Sequence, residues 1–339
     1  MRIRNLLSLA SVAVLVAAVS TSSCRKENGI DNNQVIQKPY SLFVSDSAGG
    51  LYISNNGEQY KEFFKTDGVT DRGIVIAGKN VLWAKSNLYL SEDNNAFNVT
   101  FSQLPYATDA PWATLMHYST ARKLVYVACR NGTGIALSTN YGKSWVFDTT
   151  VVGGPITVSS FTELNSGILA AYDNKNHRVY AQFSPTSNWF SLRSTPPSTG
   201  NYQLAAYEST LVAYDYSGTN GAWYTVDTGK NWKQFSGIPS NERLLSAVAP
   251  FGQNLLIGTD NGKVYRLDNG TFVLSNKGIM AGSVVRGMTA KNNIYKKDAS
   301  GNSREIRYVY AATSTGLYRS EDGGLNWVAT IPGNFQSIY

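Results

Sequence analysis

Cysteine and histidine are nearly absent: two of each occur in 339 residues. Two cysteines cannot build a disulfide framework or a cysteine-rich zinc site. Two histidines exclude a multi-histidine metal centre, so neither metal nor cofactor is expected. Charge is scarce too. Asp, Glu, Lys and Arg make up 16% of the chain, against about a quarter in an ordinary soluble domain. The net charge of +7 is moderate, and no nucleic-acid partner is expected. No sustained helical period appears anywhere. A hydrophobic share of 42% excludes a disordered chain. Glycine (30) and tyrosine (21) are abundant, which suits short strands joined by tight turns.

The one long apolar run opens the chain. Arg2 and Arg4 precede the stretch Leu6 to Val19, and small residues lead to Cys24. The run is too short for a comfortable membrane span and has the length of a signal core. Thr21-Ser22-Ser23-Cys24 resembles a bacterial lipoprotein signal, which implies cleavage after residue 23 and a lipid anchor on Cys24. An ordinary secretory leader with an incidental cysteine is the alternative. Residues 24–39 are polar and without periodicity at first, and read as a flexible tether. Lys26-Glu27 resembles the export signals of Bacteroidetes surface lipoproteins, implying an outer-membrane and surface-exposed address. Cys129, in an apolar run, reads as a buried core residue.

Residues 40–339 are one repeat written seven times. The copies at 125–145, 212–232 and 309–327 align closely, and 169–189 keeps the spacing but loses the turn residues. Three weaker copies lie at 42–60, 82–97 and 256–272. Trp145, Trp189 and Trp232 recur about every 43 residues, room for four strands of about five or six residues each. One copy, for example, parses as Ile156–Glu163, Gly167–Tyr172, Arg178–Phe183 and a fourth strand from Trp189.

Ser320-Glu321-Asp322-Gly323-Gly324-Leu325-Asn326-Trp327 resembles the Asp-box (BNR repeat), Ser-x-Asp-x-Gly-x-x-Trp. Thr225, Asp227, Gly229 and Trp232 form a second copy, and Ser138, Asn140, Gly142 and Trp145 a third. Hydroxyl and carboxylate can bond amides within the turn, glycine allows a positive φ, and the indole packs between repeats. The resemblance implies an all-β, seven-bladed β-propeller with four-stranded antiparallel blades. It also implies that Asp227 and Asp322 are structural, at peripheral turns. The first copy starts at a second strand, Tyr40–Val44, so the alternating C-terminal run 334–339 is expected to supply the missing inner strand of blade 1 and close the ring.

Propeller ligands usually meet the face built by the loops entering the inner strands. The residues just before those strands are Arg72, Trp112, Pro155, Tyr202, Arg243, Arg286 and Asn334. Arg72, Trp112, Tyr202, Arg243 and Arg286 are therefore the expected ligand-binding residues, the arginines for an anionic group and the aromatics as walls. Neutralisation by Asp67, Asp71, Asp109 and Glu242 is the alternative. The largest insertion, 292–307, carries Lys296, Lys297, Arg304 and Arg307 and belongs between the first and second strands of blade 7, on the opposite face.

Distant similarity to sialidases raises glycoside hydrolysis, yet no Arg-Ile-Pro motif occurs and the blade count is seven, not six. Hydrolysis usually needs two carboxylates, and Glu242 with Asp71 or Asp109 is the best available pair. Glu163 and Glu208 fall at turns on the other face. Neither His117 nor His177 suits a nucleophile triad. Similarity to the photosystem II stability-factor propellers points instead to assembly and binding. The leading expectation is a monomeric, non-catalytic envelope lipoprotein that binds a partner protein or glycan. A glycan-active hydrolase is the alternative.

Overall fold

Short alternating runs separated by Gly, Asn, Asp and Ser become strands and hairpins in the computed structural model. It describes residues 35–37, 42–54, 57, 59–66, 73–85, 88–94, 99–101, 113–129, 134–148, 150, 156–197, 200–250, 254–297 and 300–339. The expected leader, Cys24, Lys26-Glu27 and most of the expected tether lie outside these residues. No α-helix occurs among the described residues; one short 3-10 turn spans Glu92–Asn94.

The chain divides into two units: residues 39–292 with 307–339, and residues 1–38 with 293–306. The larger unit is a seven-bladed β-propeller of four-stranded antiparallel blades. The inner strands of blades 2 to 7 are Gly73–Ala77, Ala113–Ser119, Val158–Glu163, Tyr202–Tyr207, Leu244–Val248 and Val285–Lys297. Each pairs with the next strand in the chain, and the third and fourth strands follow outward. The insertion at 292–307 extends the hairpin between the first and second strands of blade 7, Val285–Lys297 and Ser303–Thr313.

In the smaller unit, Val35–Gln37 pairs antiparallel with Ile294 to Lys296. The stretch expected to be a flexible tether (24–39) therefore ends in a strand. Its β-branched pair Val35-Ile36 suits a strand, and the hairpin edge offers unpaired backbone groups.

Blade 1 takes its inner strand from the C-terminus. Phe335–Ile338 pairs antiparallel with Leu42–Asp46, matching Val44 with Ile338 and Ser45 with Ser337. Phe43 and Tyr339 exchange backbone bonds of 3.0 and 2.9 Å, and Ser47 N–H donates to Asn334 O at 2.8 Å. The side chain of Tyr339 packs against the clusters on both sides of blade 2.

Apolar layers separate the blades. Between blades 2 and 3, Val75, Leu82 and Leu90 meet Val125, Val127, Ala136 and Trp145, with Cys129 buried among them. Three turns of the Ser-x-Asp-x-Gly-x-x-Trp type lock blades 3, 5 and 7 onto the blades before them. Ser320 Oγ donates to Asp322 Oδ1 (2.7 Å) and accepts from Gly324 N–H (2.8 Å). The Asp322 carboxylate accepts from the amides of Leu325 and Asn326 and from Asn326 Nδ2. Gly324 has φ +96°, and a Cβ there would sit 2.7 Å from Leu256 of blade 6. Trp327 is buried in the same layer, and its Nε1 donates to Ser275 O and Gly324 O.

The other two turns repeat this plan. Thr225 Oγ1 donates to Asp227 and accepts from Gly229 N–H, while Trp232 Nε1 reaches back to Ser194 O of blade 4. Ser138 Oγ donates to Asn140 Oδ1 and accepts from Gly142 N–H, and Trp145 packs against blade 2. Burial pushes the Asp322 carboxyl up, but the bonds from Asn326, Ser320 and Leu325 outweigh it and hold it below its ordinary value. The amide and side chain of Asn231 and the Thr225 hydroxyl hold Asp227 lower still.

Candidate functional site

The inner strands surround a cavity of about 350 Å³. Blades 1, 2, 3, 5, 6 and 7 all contribute to it. The walls are mostly apolar: Ile74, Leu115, Met116, Leu245, Met288 and Ile338. Gln203, Tyr214, Ser246 and Ser337 are the uncharged polar members, and Tyr214 donates to Gln203 Oε1 at 2.8 Å. Arg286 is the one charged side chain among the described lining residues, which include no Asp, Glu or His. Arg286 Nη1 donates to Asn334 Oδ1 and to Phe335 O (2.9 Å), bracing the strand that closes the ring. Burial pulls the guanidinium pKa down.

Backbone bonds identify equivalent entry positions in five blades. Asn334, Thr157, Asn201, Arg243 and Val284 each give a carbonyl to the residue just beyond the neighbouring second strand: Ser47, Asn174, Tyr216, Asp260 and Ser314. Of the three expected ligand-binding residues that are described, Tyr202, Arg243 and Arg286, only Arg243 stands on this register. Tyr202 lies one residue further in, and Arg286 two. Arg72 and Trp112, like Pro155, lie outside the described residues.

Side chains alternate along a strand, so one residue reverses the face. Tyr202 is accordingly a core residue, 0% exposed, rather than a wall of the mouth. Its ring meets Tyr172 of blade 4 edge-on at 5.7 Å, and burial raises its hydroxyl pKa. Two residues restore the face, which is why Arg286 still lines the channel. Arg243 is half exposed and already engaged: Nε donates to Tyr216 O (3.2 Å), and Nη1 lies 3.5 Å from Asp260 Oδ2. Arg243 is absent from the cavity lining. The expected ring of equivalent arginines and aromatics is therefore not formed by the described members.

The carboxylate with the best sequence claim to catalysis is occupied. Glu242 is buried, pairs with Lys263, and accepts from Asn261 Nδ2 (2.9 Å) and Tyr265 OH. Asp71 and Asp109 lie outside the described residues. His177 Nδ1 shares Gly200 O with the Tyr172 hydroxyl.

A second polar cluster was not legible in the sequence as a group. His117 Nε2 lies 3.7 Å from Glu163 Oε2, and Ser119 Oγ donates to Glu163 Oε1 at 2.7 Å. Arg122 reaches Gly167 O, Gln182 O, Gln182 Oε1 and Tyr126 OH. Burial pushes Glu163 up, but His117, Ser119 and Arg122 outweigh it and hold the carboxyl below its ordinary value. The serine hydroxyl points at the carboxylate, not at the imidazole, so this is no activated nucleophile. It is a clamp joining blades 3 and 4. Among the described residues no group of three His, Cys, Asp or Glu side chains could hold a metal ion.

No protein-family model matches the chain. No curated protein matches it by sequence either. Solved structures do share its fold. The chain is similar to YCF48 bound to D1 peptide, at 10% identity and a TM-score of 0.57, covering 91% of this chain and 96% of that one. It is similar to the extracellular domain of the putative hybrid two-component system BT4673 from B. thetaiotaomicron, at 11% identity and a TM-score of 0.59. That match covers 86% of this chain but 34% of the other. It is also similar to an ancestral GH74 enzyme, at 14% identity and a TM-score of 0.55, covering 88% and 40% of the two chains. At these identities the likeness shows the seven-bladed fold alone.

Proposed function

We propose that this chain is a non-catalytic envelope lipoprotein whose Asp-box propeller binds a partner protein or glycan at the mouth of its central channel. One observation carries the reading. The described lining of the channel offers one cation, Arg286, among apolar walls, and no carboxylate. That is a surface for holding an anionic group, whereas glycoside hydrolysis usually needs a pair of carboxylates. The three turns at 138–145, 225–232 and 320–327 bond as Asp-box turns should, which supports the class and keeps Asp227 and Asp322 structural. The neighbour bound to a peptide and the neighbour that is an extracellular domain are compatible with a binding role. The likeness to a GH74 enzyme favours a glycan-active hydrolase as the second reading.

Lipidation of Cys24 would hold the propeller at the outer membrane, and Lys26-Glu27 supports display at the surface. The test has two parts. Cys24→Ala should move the folded protein from the membrane to the soluble fraction; continued membrane retention removes the anchor. Cross-linking in the native envelope, followed by glycan and protein identification, should recover a partner from the parent and not from Arg286→Ala. Equal recovery by both places the partner elsewhere. Measurable turnover of a glycan by the parent would favour the hydrolase.

A further inference from the structure

The channel also has the chemistry of a small-molecule site. We infer that it takes a short carboxylic acid with an apolar body, its carboxylate on Arg286 and its hydrocarbon part against Met116, Leu245 and Met288. This rests on the reading of the mouth as a binding site and names a ligand class for it.

Arg286 makes no ion pair among the described residues, although it is only partly exposed and lines an apolar cavity. A desolvated cation without a counter-ion is costly, and an arriving anion relieves that cost. Its geometry is set in advance. Nη1 is committed to Asn334 and Phe335, which fixes the plane of the guanidinium. Nε and Nη2 remain, the edge of the fork that matches a carboxylate bidentately. The lowered pKa of Arg286 has the same origin in burial. The same cavity is lined by the methionines Met116 and Met288, whose flexible thioethers adapt to varied apolar shapes, and by Leu245, Ile74 and Ile338. The cavity, about 350 Å³, sits at the small end of the usual range of about 300–1,000 Å³ for ligand pockets. That limits the occupant to a short molecule. Arg243, held by Asp260 and Tyr216, serves as the internal control.

The probes are a series of straight-chain acids from butanoate to decanoate, with benzoate, against octan-1-ol as the neutral counterpart. Binding to the full chain is measured by calorimetry and by the ligand-induced rise in Tm. One or more of the acids should bind saturably, and octan-1-ol about tenfold more weakly or not at all. Arg286→Lys should weaken the acid about tenfold, because a point charge cannot replace the fork. Arg286→Met should abolish the preference for acid over alcohol, and Arg243→Ala should leave it unchanged. Absence of saturable binding by every acid overturns the inference, as does binding that Arg286→Met leaves intact. If acids bind through Arg286 while partner recovery does not depend on it, the small-molecule site stands and the proposed partner mouth falls. If partner recovery depends on Arg286 but no acid binds, the reverse holds.

Discussion

Removing Phe335–Tyr339 should prevent the propeller from folding. The deletion strips the inner strand from blade 1 and exposes the edge of Leu42–Asp46, where Leu42, Phe43 and Val44 are fully buried. Phe335 is 4% exposed, and truncating a buried Phe alone typically costs about 3–5 kcal/mol. The paired bonds between Phe43 and Tyr339, with the Ser337 amide to Ser45 Oγ, go as well, at about 1 kcal/mol each. Tyr339 also leaves the layers flanking blade 2. Arg286 is left with an unsupported segment, since its partner Phe335 O is gone. The combined loss is of the order of a whole domain's stability, about 5–15 kcal/mol. Urea unfolding followed by tryptophan fluorescence should show no cooperative transition for the truncated chain. Phe335→Ala alone should keep the transition but lower its midpoint by the equivalent of about 3–5 kcal/mol. A truncated chain that unfolds at the parent's midpoint would refute closure by the C-terminal strand.

Trp327→Ala should cost about 3–5 kcal/mol in urea unfolding, whereas Val328→Ala next to it, 66% exposed, should stay within about 0.5 kcal/mol; equal effects would contradict the interblade role of the indole. Asp227 and Asp322 have lowered folded-state pKa values, so the stability they contribute is complete above the unfolded value of about 3.9 and is lost as pH falls below it. The gap between parent and Asp322→Asn in urea midpoint should therefore shrink from about pH 5 to about pH 3, and a constant gap would speak against a charged Asp322 in the turn. Burial lowers Lys291 to about 8. The unfolded chain then binds more protons between that value and about 10.4, and stability should rise with pH across the window. Lys291→Met should flatten the rise, and an unaltered slope would contradict a desolvated ammonium.

The succession of hairpins was written in the sequence because it depends on neighbours along the chain. Alternating residues, turn glycines and the recurring Trp145, Trp189 and Trp232 describe contacts that each repeat makes with itself or with the one before it. The missing first strand before Leu42 and the alternating run after Gly333 even disclosed where the ring closes. The Ser320 turn was legible for the same reason: its hydroxyl, carboxylate and glycine act within eight residues. The mouth was different. Whether Tyr202 faces a channel or a neighbouring blade depends on a register set by Asp215 across the hairpin, and one residue reverses the answer. Arg286 reached the channel although it is not equivalent to Arg243. That Nη1 is occupied while Nε and Nη2 are left over is decided by Asn334 and Phe335, which approach only when the ring closes. His117, Ser119, Arg122 and Glu163 likewise gave no sequence signal as a group, because two different blades bring them together. Patterning along the chain determined the blades; packing between blades decided which side chains meet, since direction and distance across a layer are not local properties.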